Sequence, residues 1–263
     1  MTTTTTTASV LVSPSRSVLV STLHSRIITS FLGSSSRSSF VLAASGGSLP
    51  SLLSGLASSF EAAGVEPQWY RWHVLLVDER LVPESSGDSN MGALRNNFLG
   101  TVLGGGAVPE KQVHAIDYGL IGTDGTTDDA AAAAVAASYG ASVAAALVGS
   151  GGRIDLCLLG FGPDGHTASL FPSHAPLPAD PTGHCAHLTD SPKPPPCRIT
   201  MTLATLNDAR ECIFVGSGGG KRAVLDAIFA ADDRGCDGAG PGGVTTLRRR
   251  MVDPAPYPCA AVR

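Results

Sequence analysis

The sequence lacks the features that mark several common classes of protein. Only 15% of its 263 residues are charged and the formal net charge is −4, so no basic excess is available to hold nucleic acid. No stretch reaches the ~18 consecutive apolar residues of a membrane-spanning helix. The six cysteines form no C-x-x-C pair, and the one tight Cys/His group, His184-Cys185-Ala186-His187, has no partner cluster at zinc-site spacing. We therefore expect no nucleic acid, membrane, metal or disulfide framework.

The first 60 residues contain no aspartate or glutamate and are rich in serine and threonine. That composition is typical of an organellar transit peptide. It also fits a first strand at Val10–Val12 and a first helix at Ser17–Leu32. We favour the second interpretation. It predicts a disordered Thr-rich tail over residues 1–9, one domain over 10–263 and a cytoplasmic location, with organellar targeting left open.

Short apolar segments alternate with helix-like segments along the chain, which favours an α/β fold with a mainly parallel, Rossmann-like open sheet and helices on both faces. A small additional layer of strand and helix completes the prediction. Gly235–Gly243 is interpreted as a loop and Arg248–Arg250 as the solvated face of a helix. The predicted strands are Val10–Val12, Ser39–Ala44, His73–Val77, Val113–Ile116, Ile154–Leu159, Cys185–Leu188, Ile199–Thr202 and Cys212–Val215. The predicted helices are Ser17–Leu32, Leu49–Ala63, Met91–Leu99, Asp128–Leu147 and Gly220–Ala231.

Ligands of open α/β sheets bind beyond the carboxyl ends of the strands, so the residues after each strand are the candidates for a site. Ser39–Ala44 is followed by Ser45-Gly46-Gly47-Ser48 and then Pro50, which fits the first turn of a helix. Two glycines let a ligand approach the backbone, and a helix N-terminus attracts anions. The turn is a candidate phosphate site; a plain serine-capped turn is the alternative.

Charged residues follow or begin three other strands. Asp78-Glu79-Arg80 ends one apolar segment, and Arg198 begins another. Lys221 follows a Gly-rich turn at the start of a helix, where its ammonium could bind an anion. The segment is not a Walker A loop, because Arg222 stands where Ser or Thr is required. The alternative for each group is an exposed charge with no ligand.

The segment LLGFGPDGHTASLFP, residues 158–172, contains a formal G-x-G-x-x-G match at Gly160, Gly162 and Gly165. A dinucleotide-binding loop needs a long helix after the third glycine and an acidic residue about 20 residues further on. Pro172 follows too soon for that helix, and no acid lies at that offset. The segment instead predicts a tight turn that places Asp164 beside His166, a candidate general base.

Taken together these motifs resemble, in their order, those of the 6-phosphogluconolactonases within the glucosamine-6-phosphate isomerase/6-phosphogluconolactonase family. The resemblance covers about residues 10–260. It rests most on the long block from Gly160 to Pro172, and departs from the family at Leu49 and in an apparent insertion at Gly235–Gly243. The motifs are Ser45-Gly46-Gly47-Ser48, Asp78-Glu79-Arg80, Asp88-Ser89-Asn90, the block at 160–172, Arg198-Ile199-Thr200 and the approach to Lys221.

The resemblance implies hydrolysis of 6-phospho-D-glucono-1,5-lactone to 6-phosphogluconate in the oxidative pentose phosphate pathway, without metal or cofactor. His166 would match the general base, Asp164 the acid that orients it, and Arg80 a group near the lactone that stabilises the oxyanion. A monomer is expected, with the sugar-phosphate lactone as its partner. The substrate-binding residues that it implies are Ser45, Gly46, Gly47, Ser48, Asp78, Arg198 and Lys221.

Two other functions remain open from the sequence. Glucosamine-6-phosphate deaminases share the fold and a related Gly-Asp-Gly-His turn, but they carry a Glu five residues after that histidine, where this chain has Phe171. The second alternative is a non-catalytic sugar-phosphate-binding module of a regulator. We expect no DNA-binding helix-turn-helix before Val10, and the candidate base is retained.

Overall fold

The computed structural model describes residues 7–100, 108–122, 127–175, 177–230 and 236–262. The strands are β1 (Thr7–Val12), β2 (Phe40–Ala44), β3 (Trp72–Leu76), β4 (Asp78–Arg80), β5 (Leu156–Leu159), β6 (Cys185–Leu188), β7 (Arg198–Met201), β8 (Cys212–Phe214), β9 (Cys236–Ala239) and β10 (Thr245–Arg250). The helices are α1 (Arg16–Leu32), α2 (Leu56–Ala62), α3 (Asn90–Leu94, continued by a π turn at Arg95–Leu99), α4 (Asp129–Leu147), α5 (Leu203–Asp208), α6 (Arg222–Ile228) and α7 (Pro258–Ala261).

The centre of the molecule is a four-stranded sheet in the order β3-β2-β5-β8, and all of its neighbours are parallel. Every residue of β2 and β5 is buried, as expected for continuous apolar strands covered on both faces. An antiparallel sheet, β4-β7-β6, lies beyond the end of β3, since only Val77 separates β3 from β4. A third antiparallel sheet joins β1, β10 and β9. The α/β prediction with a mainly parallel central sheet and an additional layer is confirmed.

Three local predictions are wrong. Thr7–Ser9, assigned to a disordered tail, belong to β1, because they pair with Arg248–Arg250 of β10; residues 1–6 lie outside the described chain. Arg248–Arg250 are therefore on a strand and not on a helix. Gly235–Gly243, interpreted as a loop, contains β9, although Gly235 itself is not described.

Two predicted elements are also interrupted or absent. The helix predicted over Leu49–Ala63 is a 3₁₀ turn at Pro50–Leu52 followed by α2, because Gly55 between them is left-handed, with φ 80°. The strand predicted at Val113–Ile116 is reduced to one parallel bridge between Val113 and Val74. The pattern of apolar residues predicts an extended segment, but it does not show that the segment makes only one bridge to β3.

The Ala-rich segment of the sequence forms helix α4. By length and composition, Asp129–Ser150 could span a membrane. Its buried residues recur at helical spacing, from Ala132 through Val143 to Leu147, and the helix packs against β6 and β7. The Tyr139 hydroxyl also donates to the Leu76 carbonyl oxygen at 3.0 Å and accepts from its N–H at 2.7 Å. These contacts are those of a core helix.

A pair of half-buried histidines makes the stability of the fold depend on pH. His73 Nδ1 lies 3.0 Å from His114 Nε2, and His114 Nδ1 lies 2.8 Å from Ser142 Oγ. Burial, and then the neighbouring His73, lower the pKa of His114 from 6.5 to about 4. Since the folded pKa is below the unfolded value, the stabilisation is complete above pH 6.5 and is lost as the pH falls towards 4.

We therefore expect the free energy of unfolding to decrease between pH 7 and pH 5, and to decrease less in a His114→Gln variant. Urea unfolding of both proteins at the two pH values measures this difference. An equal loss of stability on acidification in the two proteins would show that His114 is not the group responsible.

Candidate active site

The turn after β5 holds the candidate base in a fixed position. The Gly162 N–H donates to the His166 carbonyl oxygen at 2.9 Å, and the Gly165 N–H donates to that of Gly162 at 3.0 Å. Gly165 has φ 82°, and a Cβ there would lie 2.4 Å from the Tyr257 ring. The Gly165 carbonyl oxygen accepts from the Cys259 N–H of α7 at 3.1 Å. The turn is therefore closed on itself and supported by the C-terminal segment.

Three side chains meet at this turn: His166, Asp164 and Lys193. His166 Nδ1 lies 2.5 Å from Asp164 Oδ1, and Lys193 Nζ lies 2.8 Å from Asp164 Oδ2. A proton must lie between the imidazole nitrogen and the carboxylate, because two lone pairs would repel each other. With the proton on Nδ1, Nε2 keeps a lone pair, which is the tautomer that a base requires. Lys193 Nζ lies 3.0 Å from Nδ1, and in this tautomer it is a neighbouring charge and not a hydrogen-bond donor to the ring.

The pKa values of His166 and Asp164 are both lowered, which favours a neutral imidazole and an ionised carboxylate. Burial is the main cause that lowers the pKa of His166 below 6.5, with Asp164 opposing and Lys193 adding to that effect. The imidazole is therefore neutral at pH 7. Although burial acts against it, hydrogen bonds from Lys193 and His166 hold the pKa of the Asp164 carboxyl well below its usual range. Asp164 is therefore ionised.

The Ser45–Ser48 turn lies beside this group, at the end of β2. The Ser45 hydroxyl accepts from the Gly160 N–H at 3.2 Å, which ties the turn to the segment after β5. A Cβ on Gly46 would lie 1.7 Å from Asn90 Oδ1, so only glycine fits there. Within the described chain, the N–H groups of Gly46, Gly47 and Ser48 have no protein acceptor. They are free to bind an anion.

The acidic residues of the Asp78-Glu79-Arg80 segment are buried and hold neighbouring elements. Asp78 Oδ2 accepts from Ser169 Oγ at 2.8 Å, and Oδ1 lies 3.4 Å from Asn90 Nδ2. Glu79 accepts from the N–H groups of Arg80, Asn90 and Met91 at 2.7–2.8 Å. Burial raises the pKa of Glu79 to about 7, against these hydrogen bonds. Both carboxyl groups thus connect β4 to α3, and Asp78 also connects β4 to the segment after the His166 turn.

The two arginines of the antiparallel sheet are neighbours with different surroundings. Arg80 of β4 pairs in register with Arg198 of β7. The Arg80 Nη1 donates to the Asp88 carbonyl oxygen at 2.7 Å, while its buried Nε has no partner. Arg198 is only 4% exposed, and its Nε and Nη2 donate to carbonyl oxygens of the 193–195 segment at 2.8–3.1 Å. Most of its donors are therefore already used within the protein.

Lys221 lies against the segment between β5 and His166, in the 3₁₀ turn Gly219–Lys221. Its Nζ donates to the Phe161 carbonyl oxygen and lies 4.4 Å from the centre of the Phe161 ring. Partial burial is the main cause that lowers its pKa. A Cβ on Gly216 would lie 2.6 Å from the Phe161 ring, so the glycine lets this contact form.

The sequence missed Lys193, Asn90 and Ser169 as parts of this region. Lys193 belongs to a Pro-rich segment that predicts only a loop. Ser169 and Asn90 belong to two of the motifs, but neither is among the predicted catalytic or substrate-binding residues. The signal that could have indicated Lys193 is its position five residues before Arg198, which begins a strand. In the described chain no group of three or more metal-ligating side chains is found; His184 contacts Thr205, and His187 contacts Asp129.

The central parallel sheet, with an Asp–His pair and cationic side chains beyond its carboxyl edge, defines an α/β protein with a candidate acid–base site. Residues 14–244 match the family described as Glucosamine-6-phosphate isomerases/6-phosphogluconolactonase. The chain belongs to this family, which confirms the resemblance seen in its motifs.

Curated relatives carry the name of one branch of the family. The 6-phosphogluconolactonase of Homo sapiens is 40% identical over 194 residues, covering 73% of this chain and 69% of that protein. 6-phosphogluconolactonase 3 of Saccharomyces cerevisiae is 37% identical and covers 73% of both chains. The crystal structure of 6-phosphogluconolactonase from Leishmania guyanensis matches with a TM-score of 0.66 and 25% identity, covering 83% of this chain and 84% of that one. That from Trypanosoma brucei has a TM-score of 0.65 and 27% identity, covering 84% and 86%.

Proposed function

We propose that this protein hydrolyses 6-phospho-D-glucono-1,5-lactone to 6-phosphogluconate, with His166 as the general base. The observation that carries the proposal is the Asp164–His166 pair at 2.5 Å, which favours the tautomer with Nε2 unprotonated. The Ser45–Ser48 turn is bonded to the segment that leads into this pair, through the Gly160 N–H. The names of the curated relatives supply the substrate. A general base with a pKa near or just below the working pH is the most effective one.

In the proposed reaction, His166 Nε2 removes a proton from water as the water attacks the lactone carbonyl carbon. The carbonyl oxygen becomes an oxyanion, which the Arg80 guanidinium stabilises; removal of one such donor commonly costs about 3 kcal/mol of transition-state stabilisation. The ring C–O bond then breaks, and the proton on Nε2 passes to the leaving ring oxygen. Asp164 stabilises the imidazolium between these steps, as an orienting carboxylate does in hydrolases.

The 6-phosphate would bind at the Ser45–Ser48 turn, through the N–H groups of Gly46, Gly47 and Ser48, and to Lys221. Binding energy from this group, remote from the reacting carbon, orients the ring. Asp78 is buried and bonded to Ser169, so we assign it to the wall of the site and not to direct contact with the sugar. We do not assign Arg198 to the phosphate, because its Nε and Nη2 already donate to carbonyl oxygens of the protein.

The alternative within the family is glucosamine-6-phosphate deamination, and Phe171 argues against it. The Phe171 ring lies 5.0 Å from the His166 ring and is buried, so this position carries no carboxylate for ring opening of an amino sugar. Assays of the purified protein with 6-phosphogluconolactone and with glucosamine 6-phosphate test this choice. We expect turnover of the lactone only. Ammonia release from glucosamine 6-phosphate would favour the alternative, and turnover of neither would favour a non-catalytic sugar-phosphate-binding module.

Replacement of Lys221 tests the phosphate subsite. Lys221→Ala is expected to raise KM roughly 10–100-fold with a smaller change in kcat, because a charged hydrogen bond to the phosphate is lost. Lys111→Ala, which removes an exposed lysine outside the site, is the control and should leave KM unchanged. An unchanged KM in Lys221→Ala would remove this residue from the phosphate subsite.

We further propose that the protein acts in the cytoplasm as a monomer. Five of the six cysteines are free thiols, which suits a reducing compartment; they are Cys157, Cys185, Cys197, Cys212 and Cys259. A rice relative has "chloroplastic" in its name. A fluorescent fusion located by microscopy and light scattering of the purified protein test these two statements. The absence of nucleic-acid and membrane partners stays a prediction.

A further inference from the structure

Lys193 is held in place by its own loop and by Arg198. The Ser191 N–H donates to the Pro196 carbonyl oxygen at 3.1 Å, which closes the loop, and Ser191 Oγ donates to the Lys193 carbonyl oxygen at 2.9 Å. The Arg198 guanidinium donates to the carbonyl oxygens of Lys193, Pro194 and Pro195. Such a buried, satisfied guanidinium fixes the backbone that carries the ammonium group.

The ammonium group itself is directed at the candidate base. Lys193 Nζ lies 2.8 Å from Asp164 Oδ2 and 3.0 Å from His166 Nδ1. The charged groups that act on His166 are Asp164 of its own turn, Lys193 of the 191–196 loop and Asp78 of β4. On the remaining side the uncharged Phe171 ring covers the imidazole. Lys193 is thus the one cation among these groups.

We propose that Lys193 is a positioning residue that keeps His166 unprotonated by balancing the charge of Asp164, and that Arg198 acts through Lys193. The proposal rests on the proposed function only in naming His166 as the base. It assigns Arg198 to the support of the loop, whereas the sequence resemblance implied contact with the substrate.

Because Lys193 lies beside both Asp164 and His166, its charge affects the protonation of the imidazole as well as forming a salt bridge. Asp164 is needed to fix the tautomer of His166, but an isolated carboxylate at this distance favours the imidazolium form and would protonate the base. A cation on the second carboxylate oxygen reduces that effect without removing the hydrogen bond to Nδ1. Asp164 raises the pKa of His166 and Lys193 lowers it. The base therefore stays available at neutral pH.

The test measures the protonation of His166 by NMR titration and, in parallel, the pH dependence of kcat/KM. In Lys193→Met we expect the midpoint of the His166 titration and the acid limb of the rate profile to move about one pH unit higher. Lys193→Arg, which keeps the charge, should return the midpoint most of the way to the wild-type value. Lys221→Met removes a different lysine of the site and should raise KM without moving the midpoint.

The role of Arg198 is tested by a double-mutant cycle. Arg198→Gln should move the His166 midpoint in the same direction as Lys193→Met, and the double variant should move it no further than Lys193→Met alone. Additive shifts would show that Arg198 does not act through Lys193. If Lys193→Met fails to fold, Lys193→Gln provides the same comparison.

An unmoved midpoint in a folded Lys193→Met protein would overturn the proposal, even if activity is lost. The titration does not require turnover. A wild-type protein without lactonase activity would therefore contradict the proposed function, while the shift of the His166 midpoint would still decide the role of Lys193.

Discussion

His166→Asn is expected to lower kcat for lactone hydrolysis by about 10²–10⁴-fold, the usual contribution of a positioned general base. Asparagine keeps much of the size of the imidazole, and it can still hydrogen-bond to Asp164, but it has no basic nitrogen at the position of Nε2. Binding of 6-phosphogluconate should change little, because the proposed phosphate subsite at Ser45–Ser48 and Lys221 is left intact. Steady-state kinetics and calorimetric titration of the product measure the two quantities separately.

The matched control for this variant is His184→Asn. His184 is also half-buried, and its Nδ1 lies 3.3 Å from the Thr205 hydroxyl oxygen. It comes just before Cys185, which pairs with Met201 at the end of β7 opposite Arg198. Its kcat should stay within a few-fold of the wild-type value. Turnover close to wild type in His166→Asn would contradict the assignment of the base and would require another group to activate the water.

Gly162→Ala is expected to lower kcat about 100-fold or more while the protein remains folded. A Cβ at this position would lie 2.2 Å from the His166 imidazole and 2.3 Å from Asp164 Oδ1. Gly162 is not among the residues with positive φ, so its backbone accepts alanine. The side chains of the Asp–His pair must move instead, and a displacement of about 1 Å in a catalytic group can cost about 10²-fold in rate.

Gly160→Ala, two residues earlier in the same turn, is the matched control. Nothing lies within 4 Å of a Cβ on Gly160, and its φ is also not positive. Its N–H and carbonyl oxygen can keep their bonds to Ser45 and Thr167. Near wild-type activity is expected. Equal activity of the two alanine variants would contradict the geometry of the turn, and a thermal melt shows whether Gly162→Ala is folded.

The strands of the central sheet and the position of the candidate base could be predicted from the sequence because the signals for both are local. Continuous apolar strands such as Phe40–Ala44 read as buried strands, and the spacing of Gly165 and Pro172 excluded the long helix of a dinucleotide site. Asp164 and His166 are two residues apart, so a tight turn alone brings them together. The structure and the family comparisons confirm the fold that these signals predicted.

The parts that could not be predicted depend on contacts between distant segments. Lys193 meets His166 only because the 191–196 loop lies against the turn. Arg198 donates hydrogen bonds to that loop, whereas the sequence shows only that a cation is present. Arg248–Arg250 form a strand because residues 7–9 pair with them, a partner more than 230 residues away in the chain. Local propensity carries no information on such pairings.

The most direct test is the rate of 6-phosphogluconolactone hydrolysis by the wild-type protein in buffer treated with chelator, compared with the spontaneous rate and with His166→Asn. Proton release in a pH-stat or coupled oxidation of 6-phosphogluconate reports this rate. We expect wild-type turnover far above the spontaneous rate and a variant rate that approaches it. A wild-type rate no faster than the spontaneous one would contradict lactone hydrolysis at this site.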